Sequence, residues 1–287
     1  MRRYRPLVHD FDLRAHQLRQ AIKEDWAPEV KESWEHSKAQ VREGLIHQYG
    51  AADYARKAKD FEVHGVVPLS VVAHHNAAFR QIRDSFVVGA YYPALTAATS
   101  LGERILNHLI FGLRERYANT RRYKGVARKN SLQNWHQAIN VLREWDVLRE
   151  EVVPPLRRLE ELRQKAVHFL DPELIQGARE HAGEAMELMR EIIELQFGSF
   201  GPHPWFITDI PGVVFVKKSW EDHPFVQLVY VPNYVLVGPN HFLETGQRPG
   251  EFKVIDDPDY EDRDITDEEF SKLYIAANEK RVAARTA

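Results

Sequence analysis

The sequence predicts an α+β protein that is mostly helical. Three observations support this fold class: apolar residues recur at helical spacing from about residue 10 to 197, short β-branched segments separated by Pro, Gly and Asn follow residue 198, and an acidic stretch precedes a last helical segment. We therefore expect a helical arm at residues 1–66, an antiparallel helical bundle at residues 67–198, and a region at residues 199–287 with a small antiparallel β-sheet and a C-terminal helix.

Composition narrows the classes of function. The chain has 287 residues, no cysteine and a net charge of −3. The absence of cysteine excludes a disulfide framework, a Cys-ligated zinc site and a thiol nucleophile. No apolar run approaches the ~18 residues that a membrane helix needs, and the polar N-terminus is unlike a signal peptide, so we expect a soluble, cytoplasmic protein without a membrane partner. Because the net charge is small, any contact with nucleic acid must be local.

Residues 10–62 predict two or three amphipathic helices, interrupted near Pro28 and Gly50. Two apolar stripes mark them: Phe11, Leu13, Leu18, Ile22 and Trp26, then Val30, Trp34, Val41 and Leu45. We expect this arm to pack on the main bundle. The alternative is a surface for dimerisation or for a partner, since Trp and Tyr are favoured in interfaces.

The bundle is predicted as four helices around one core, from apolar patterns at residues 69–88, 91–117, 131–168 and 172–197, with Pro154-Pro155 breaking or restarting the third helix. Gly89 ends the first of these helices, and Ser131 is the expected N-cap of the third. Asp171 and Pro172 are a good N-cap and first position for the last helix. Adjacent His74 and His75 point about 100° apart on a helix and cannot both bind one metal ion without help, so no metal site is predicted.

A basic segment follows the second bundle helix. Its cations are Arg114, Arg116, Arg121, Arg122, Lys124, Arg128 and Lys129, against the single acid Glu115. Basic side chains neutralise phosphates, and the interleaved tyrosines can stack on unpaired bases. Arg121, Arg122, Lys124, Arg128 and Lys129 are therefore the predicted RNA-binding residues, although a solubilising loop would have the same composition.

The region after residue 198 predicts four short strands, at residues 212–216, 225–231, 234–237 and 252–255. It carries no recognisable chemical motif, and we expect a recognition or oligomer surface. Residues 256–269 then hold nine acidic residues and one basic residue. Such a run is usually solvated, and the alternative is that it lies over the basic segment as a phosphate mimic. Thr266 and Glu269 form the capping box of a last helix.

Two polar groups interrupt the apolar pattern of the bundle. Glu103, Arg104 and Asn107 form a notch in the second helix, and Glu103 is suited to orient a catalytic cation. Arg163 and His168 lie near the end of another helix, five positions and therefore about 140° apart. The same spacing occurs at Arg42 and His47 in the arm, which we interpret as solvated surface.

The surroundings of Arg163 and His168 resemble the HEPN superfamily, over roughly residues 68 to 197. The resemblance is carried by Tyr91-Tyr92-Pro93-Ala94-Leu95-Thr96, Gly102-Glu103-Arg104-Ile105-Leu106-Asn107 and Leu162-Arg163-Gln164-Lys165-Ala166-Val167-His168-Phe169. That superfamily comprises helical-bundle proteins, many of them metal-independent ribonucleases, whose signature is an Arg followed four to six residues later by a His. The resemblance implies a HEPN-like bundle.

The resemblance also implies a metal-independent endoribonuclease that acts as a homodimer, needs no cofactor and has RNA as its substrate. Arg163 would stabilise the transition state, His168 would transfer protons, Glu103 would position one of them, and the product would carry a 2′,3′-cyclic phosphate. Many nuclease relatives are toxins or act in phage defence, which implies an antitoxin or regulatory protein as partner.

Two alternatives remain open on the sequence alone. The position after the arginine is Gln164, where nuclease members often have Asn, Asp or His, so a non-catalytic HEPN-like module that binds a nucleotide, RNA or a protein is one alternative. In the other, the arm and sheet serve oligomerisation. For the two residues themselves, the alternative to a catalytic role is structural: Arg163 would pair with Glu160 or with an adjacent helix, and His168 would cap a helix end.

Overall fold

The computed structural model describes residues 1–8, 10–168, 176–246, 251–257, 259–261 and 263–286, and the side chains of residues 167, 168, 285 and 286 lie outside this description. Within these ranges the chain is mostly helical with short antiparallel strand pairs, which confirms the predicted α+β class. The residues group into two compact units, one of residues 8–198 and the other of residues 1–7 with 199–287.

The arm is helical, as predicted. It contains α1 (Arg14–Arg19), α2 (Pro28–Tyr49) and α3 (Tyr54–His64), with Pro28 at the first position of α2. Much of its apolar stripe is exposed, because Phe11, Leu13 and Val30 each keep more than two fifths of their surface accessible. The arm belongs to the same unit as the bundle, where α3 packs against α4 and α8.

The bundle is built around α5. Its helices are α4 (Ala73–Val87), α5 (Tyr91–Leu113), α6 (Trp135–Glu144), α7 (Val153–His168) and α8 (Ala178–Phe197). The described residues thus form five bundle helices and not the predicted four, because the chain leaves one helix at Glu144 and begins another at Val153, where prolines are tolerated in the first turn. Apolar residues on α5 recur every three or four positions and are buried, so this helix can contact α4, α6, α7 and α8 at once. Gly89 has a φ of 92° between α4 and α5, a conformation that a side chain would oppose.

The sequence predicted the starts of two bundle helices, near Ser131 and at Asp171 and Pro172. The third bundle helix begins at Trp135 rather than near Ser131, and Asn134 is its N-cap, with its side chain accepting a hydrogen bond from the Gln137 amide at 2.8 Å. The Ser131 prediction was wrong because the residues after Ser131 are held by the side chain of Asn107 instead of by a helix. The predicted start of the last bundle helix, at Asp171 and Pro172, lies outside the described residues.

In the described part of the second unit the strands form three two-stranded antiparallel sheets instead of one small sheet. The pairs are β1 (Arg3–Pro6) with β4 (Tyr234–Val237), β2 (Phe206–Ile207) with β3 (Phe215–Val216), and β5 (Phe242–Thr245) with β6 (Phe252–Ile255). The strands predicted at 234–237 and 252–255 are confirmed. Because β1 pairs with β4, residues 1–7 join this unit and not the arm to which the sequence assigned them.

The strand predicted at residues 225–231 was wrong. This segment forms α9 (Pro224–Val229), with proline at the first helical position, where its missing N–H costs nothing. Phe225, Val226 and Val229 are buried, which is helical spacing. The last helix, α10 (Asp267–Thr286), begins as predicted, since the Thr266 hydroxyl accepts a hydrogen bond from the Glu269 amide at 3.1 Å.

Candidate functional site

Arg163 and Glu103 meet between α7 and α5. On α7 the buried residues Leu156, Leu159, Leu162 and Ala166 face the core. Arg163 follows this stripe, and its Nη2 lies 2.6 Å from Glu103 Oε2 on α5. The two side chains keep 14% and 24% of their surface accessible, so the ion pair is partly shielded from water.

A hydrogen bond from Trp135 and the close approach of α6 to α5 also hold Glu103 in place. Its Oε2 accepts a hydrogen bond from Trp135 Nε1 at 3.4 Å. The neighbouring Gly102 allows this arrangement, because a Cβ there would lie 2.5 Å from the Trp135 ring. Glu160 makes other contacts, accepting from the His136 amide at 3.1 Å and pairing with Arg157 at 3.5 Å. Arg163 therefore pairs with the adjacent helix, which is compatible with both a catalytic and a purely structural role.

His168 is the last residue of α7, and its side chain lies outside the described residues. The turn before it is tied to α5, since the Tyr92 hydroxyl donates a hydrogen bond to the Ala166 carbonyl at 3.2 Å. The end of α7 is thus fixed to the same helix that carries Glu103.

A cavity of about 570 Å³ opens beside the ion pair, a volume in the range of ligand sites. Apart from Phe111, its lining residues have polar or charged side chains, although apolar atoms make up the larger part of the lining surface: Thr96, Thr99, Ser100, Glu103, Arg104, Asn107, His108, Phe111, Asn130, Ser131 and Arg163. Arg104 lay in the predicted notch without a role of its own, and His108 was missed. Both could have been found, because positions four apart lie on one face of a helix.

Asn107 builds the wall of this cavity. Its Oδ1 accepts from the Leu132 amide at 2.8 Å, while its Nδ2 donates to the carbonyls of Leu132, at 3.2 Å, and Glu103, at 3.0 Å. These bonds hold the segment that carries Asn130 and Ser131 against α5. The predicted notch therefore divides into a residue that shapes the cavity and two charged residues that line it.

The basic segment is ordered by its own contacts, in which Arg122 pairs with Glu144 at 2.7 Å and Lys129 donates to Gln137 at 3.0 Å. Arg121, Lys124 and Arg128 are exposed and have no ion-pair partner among the described residues. The described lining of the cavity includes none of the five predicted RNA-binding residues.

The tyrosines of this segment are engaged. Tyr117 stacks on Trp145, with ring centroids 4.8 Å apart and an interplanar angle of 4°, so one of its faces is covered. The Tyr123 hydroxyl donates to Glu115 at 3.1 Å, and this bond is the leading cause of its raised pKa. Base stacking on these rings is more restricted than the sequence suggested.

The paired histidines differ in environment. His74 is exposed, whereas His75 is buried with its Nδ1 3.2 Å from the Ser70 hydroxyl and its ring 4.7 Å from Phe197. Burial, followed by the nearby charges of His108 and His74, lowers the pKa of His75 to about 3. His75 is a core residue. Across the part of the chain that the structure describes, no three His, Asp or Glu side chains are grouped to hold a metal ion.

The helical unit contains another arginine–histidine pair and another cavity, and neither resembles the surroundings of Arg163. Arg42 and His47, at the same spacing as Arg163 and His168, are both exposed on α2. A second cavity, of about 420 Å³, is lined by His64, Phe86, Arg179, Glu180, Gly183, Glu184 and Glu187. Among its described lining residues one arginine faces three glutamates, and this excess of negative charge is unsuited to an anion. The His64 pKa is lowered by burial there.

Among the helices that the structure describes, none combines the length and the apolar character required to cross a bilayer. Comparisons of the chain with protein-family models, with curated proteins and with solved structures found no match in any of the three.

Proposed function

We propose that this chain is a metal-independent endoribonuclease of HEPN type that acts as a homodimer. The observation that carries the proposal is Arg163, which Glu103 holds at 2.6 Å beside a cavity of about 570 Å³ that also contains Arg104 and His108. A guanidinium fixed at the wall of such a cavity suits the oxygens of a phosphate under attack.

The proposed reaction is a transesterification that releases the downstream fragment of the RNA with a 5′-hydroxyl. One histidine takes the proton of the 2′-hydroxyl, and the 2′-oxygen then attacks the adjacent phosphorus. The bond to the 5′-oxygen breaks, a second histidine protonates that oxygen, and a 2′,3′-cyclic phosphate remains. His168 from each of two subunits supplies the base and the acid, because a two-fold dimer presents the same residue twice.

The ion pair with Glu103 is compatible with phosphate binding. A guanidinium has five N–H donors, so a pair with one carboxylate leaves donors for phosphoryl oxygens. Partial shielding from water strengthens the remaining hydrogen bonds to an anion. In this proposal Glu103 is a positioning residue that fixes the plane of Arg163.

The exposed cations of the basic segment are the proposed contacts with the RNA backbone. Arg121, Lys124 and Arg128 have no ion-pair partner among the described residues, whereas Arg122 is paired and Lys129 is hydrogen bonded. We propose that the first three contribute most to salt-dependent affinity, since each cation that neutralises a phosphate releases counterions.

The test is cleavage of total RNA in EDTA by the purified chain. We expect wild type to cleave, and Arg163→Ala and His168→Ala to lose the activity. The chain offers a matched control, because Arg42→Ala and His47→Ala change a pair of the same spacing on the exposed face of α2 and should cleave like wild type. Equal cleavage by wild type and His168→Ala would contradict the proposed ribonuclease function.

A second candidate is a non-catalytic HEPN-like module that binds a nucleotide, RNA or a protein. The same ion pair favours it, because Glu103 offsets the charge that Arg163 would offer to a transition state. In this case RNA would bind at low salt without being cut, and the wild-type chain would be no more toxic on expression than Arg163→Ala. A role as a toxin or phage-defence effector, with an antitoxin or regulatory protein as partner, is proposed only together with cleavage.

A further inference from the structure

One face of α5 carries a cation, an imidazole and an aromatic ring on successive turns. Arg104, His108 and Phe111 are four and three positions apart, which places them in line on a helix. All three line the cavity that also contains Arg163. The face therefore offers, in one row, the groups that recognise a phosphate and a base.

Arg104 and His108 are available for a ligand. Both are exposed, and neither has a hydrogen-bond or ion-pair partner within the described ranges. This differs from Arg163, which pairs with Glu103, and from Arg157, which pairs with Glu160. Among the described residues that line the cavity, Arg104 and Arg163 are positively charged and Glu103 is negatively charged. With histidine counted as neutral, these residues give the lining an excess of one positive charge.

The remaining lining residues suit the rest of a nucleotide. Phe111 is half-buried, Arg114 Cζ lies over its ring at 5.3 Å from the centroid, and the residue also lines the cavity. An aromatic ring has two faces, so a base can stack on the face opposite a cation. Asn130 and Ser131 line the same cavity and can donate to or accept from a base edge or ribose. Asn107 holds this segment in place through Leu132.

We propose that this face of α5 binds one nucleotide unit of single-stranded RNA next to the scissile phosphate, with Arg104 and His108 on its phosphate and Phe111 on its base. The inference rests on the proposed ribonuclease function and adds a substrate-binding subsite to it. Arginine matches a phosphate with parallel hydrogen bonds, and stacking on an aromatic ring tolerates any base. The subsite thus selects a nucleotide without selecting its sequence.

The test is calorimetric titration of the full chain with 3′-AMP, adenosine and inorganic phosphate. We expect wild type to bind 3′-AMP about tenfold or more tightly than adenosine, because the phosphate meets Arg104 and His108. Arg104→Ala and His108→Ala should each lose about tenfold in affinity for 3′-AMP. Phe111→Ala should weaken binding of 3′-AMP and adenosine but leave inorganic phosphate unchanged.

Arg116→Ala is the matched control. Arg116 is exposed in the turn after α5, its loss removes the same charge, and it does not belong to the described lining of the cavity. Its affinity for 3′-AMP should stay within about twofold of wild type. Arg104 and His108 are outside the core, so their variants should unfold at the temperature of wild type.

The outcomes separate this inference from the proposed reaction. Wild-type affinity for 3′-AMP in Arg104→Ala, or no binding of 3′-AMP by wild type at millimolar concentration, would overturn the subsite. If Arg104→Ala loses 3′-AMP binding while wild type cuts no RNA, the subsite stands and the ribonuclease proposal fails. If RNA is cut and Arg104→Ala changes neither KM nor 3′-AMP affinity, the ribonuclease stands and the subsite fails.

Discussion

At the scale of single residues, the pairing of Glu103 with Arg163 is the central feature. The pair joins two helices and lies beside the cavity, so a change in it affects both the packing of α7 and the charge offered to a ligand. Substitutions that keep the shape of the side chain and remove its charge separate these two effects.

Glu103→Gln is expected to lower the rate of RNA cleavage by about 10²-fold with little loss of RNA affinity, because it releases the guanidinium from a fixed orientation. The amide oxygen of glutamine can still accept from Trp135, so the fold should be kept. Single-turnover cleavage and RNA binding measure the two effects. Glu160→Gln, which removes a charge from α7 away from the cavity lining, should cleave at the wild-type rate, and a wild-type rate for Glu103→Gln would contradict the positioning role.

His75 should make stability depend on pH. Its pKa is lowered from 6.5 to about 3 in the folded chain, so between these values the unfolded chain binds a proton that the folded chain does not. Stability attributable to His75 is complete above about pH 6.5 and falls by up to about 1.4 kcal/mol per pH unit as the pH drops towards 3.

Urea unfolding of wild type and His75→Gln from pH 7 to pH 4.5 measures this contribution. The free energy of unfolding should fall more steeply with decreasing pH for wild type than for His75→Gln. His74→Gln changes the exposed neighbour and should keep the wild-type slope. Equal slopes for wild type and His75→Gln would show that burial does not suppress protonation of His75.

At the scale of elements, the site depends on how closely α5 approaches α6 and α7. Gly102 permits this approach, since an added Cβ would lie 2.5 Å from Trp135 and 2.9 Å from Leu159, both of which are fully buried. A side chain at this position would push apart the helices that carry Glu103 and Arg163.

Gly102→Ala should therefore destabilise the chain by about 1–3 kcal/mol, because overpacking outweighs the gain in helix propensity. Gly44→Ala is the control: Gly44 lies within α2 with nothing within 4 Å of its added Cβ, and it should gain up to about 1 kcal/mol. Chemical denaturation measures both. A stability gain at Gly102 equal to that at Gly44 would contradict the close packing.

The sequence predicted the helices well and the cavity poorly. The spacing of apolar residues along the chain is a local property. The predicted bounds of α4, α5 and α7 are therefore close to the observed ones. The pairing of β1 with β4 joins residues that are far apart in the chain, so a local pattern in the sequence does not predict it. The cavity arises because Asn107 holds the segment with Asn130 and Ser131 against α5, which also displaced the helix start predicted near Ser131. Glu103 was singled out from the sequence because its charge interrupts a run of apolar residues.

At the scale of the whole molecule, the proposed reaction needs two subunits. One chain contributes one Arg163 and one His168, and the proposed mechanism uses two histidines. A two-fold dimer would place both copies of each residue in one cleft. The dependence of activity on subunit composition therefore tests the assembly.

Mixing wild type with inactive His168→Ala in equal amounts should lower cleavage to about one quarter of the activity of the same total amount of wild-type chain, because only dimers with two wild-type subunits hold both histidines. Cleavage after subunit exchange, with the exchange followed by native mass spectrometry, measures this. Mixing wild type with His47→Ala, which should cleave like wild type, should leave the activity unchanged. Activity in proportion to the share of wild-type chains despite complete exchange, or full activity in a wild-type monomer, would rule out a shared cleft.

The chemistry itself is tested most directly by comparing one RNA oligonucleotide with a copy that lacks the 2′-hydroxyl at the cut position, both incubated with the chain in EDTA. The account predicts that the RNA is cut, that its upstream product ends in a 2′,3′-cyclic phosphate, and that the 2′-deoxy copy stays intact at that position. Cleavage of both oligonucleotides, or of neither, would contradict it.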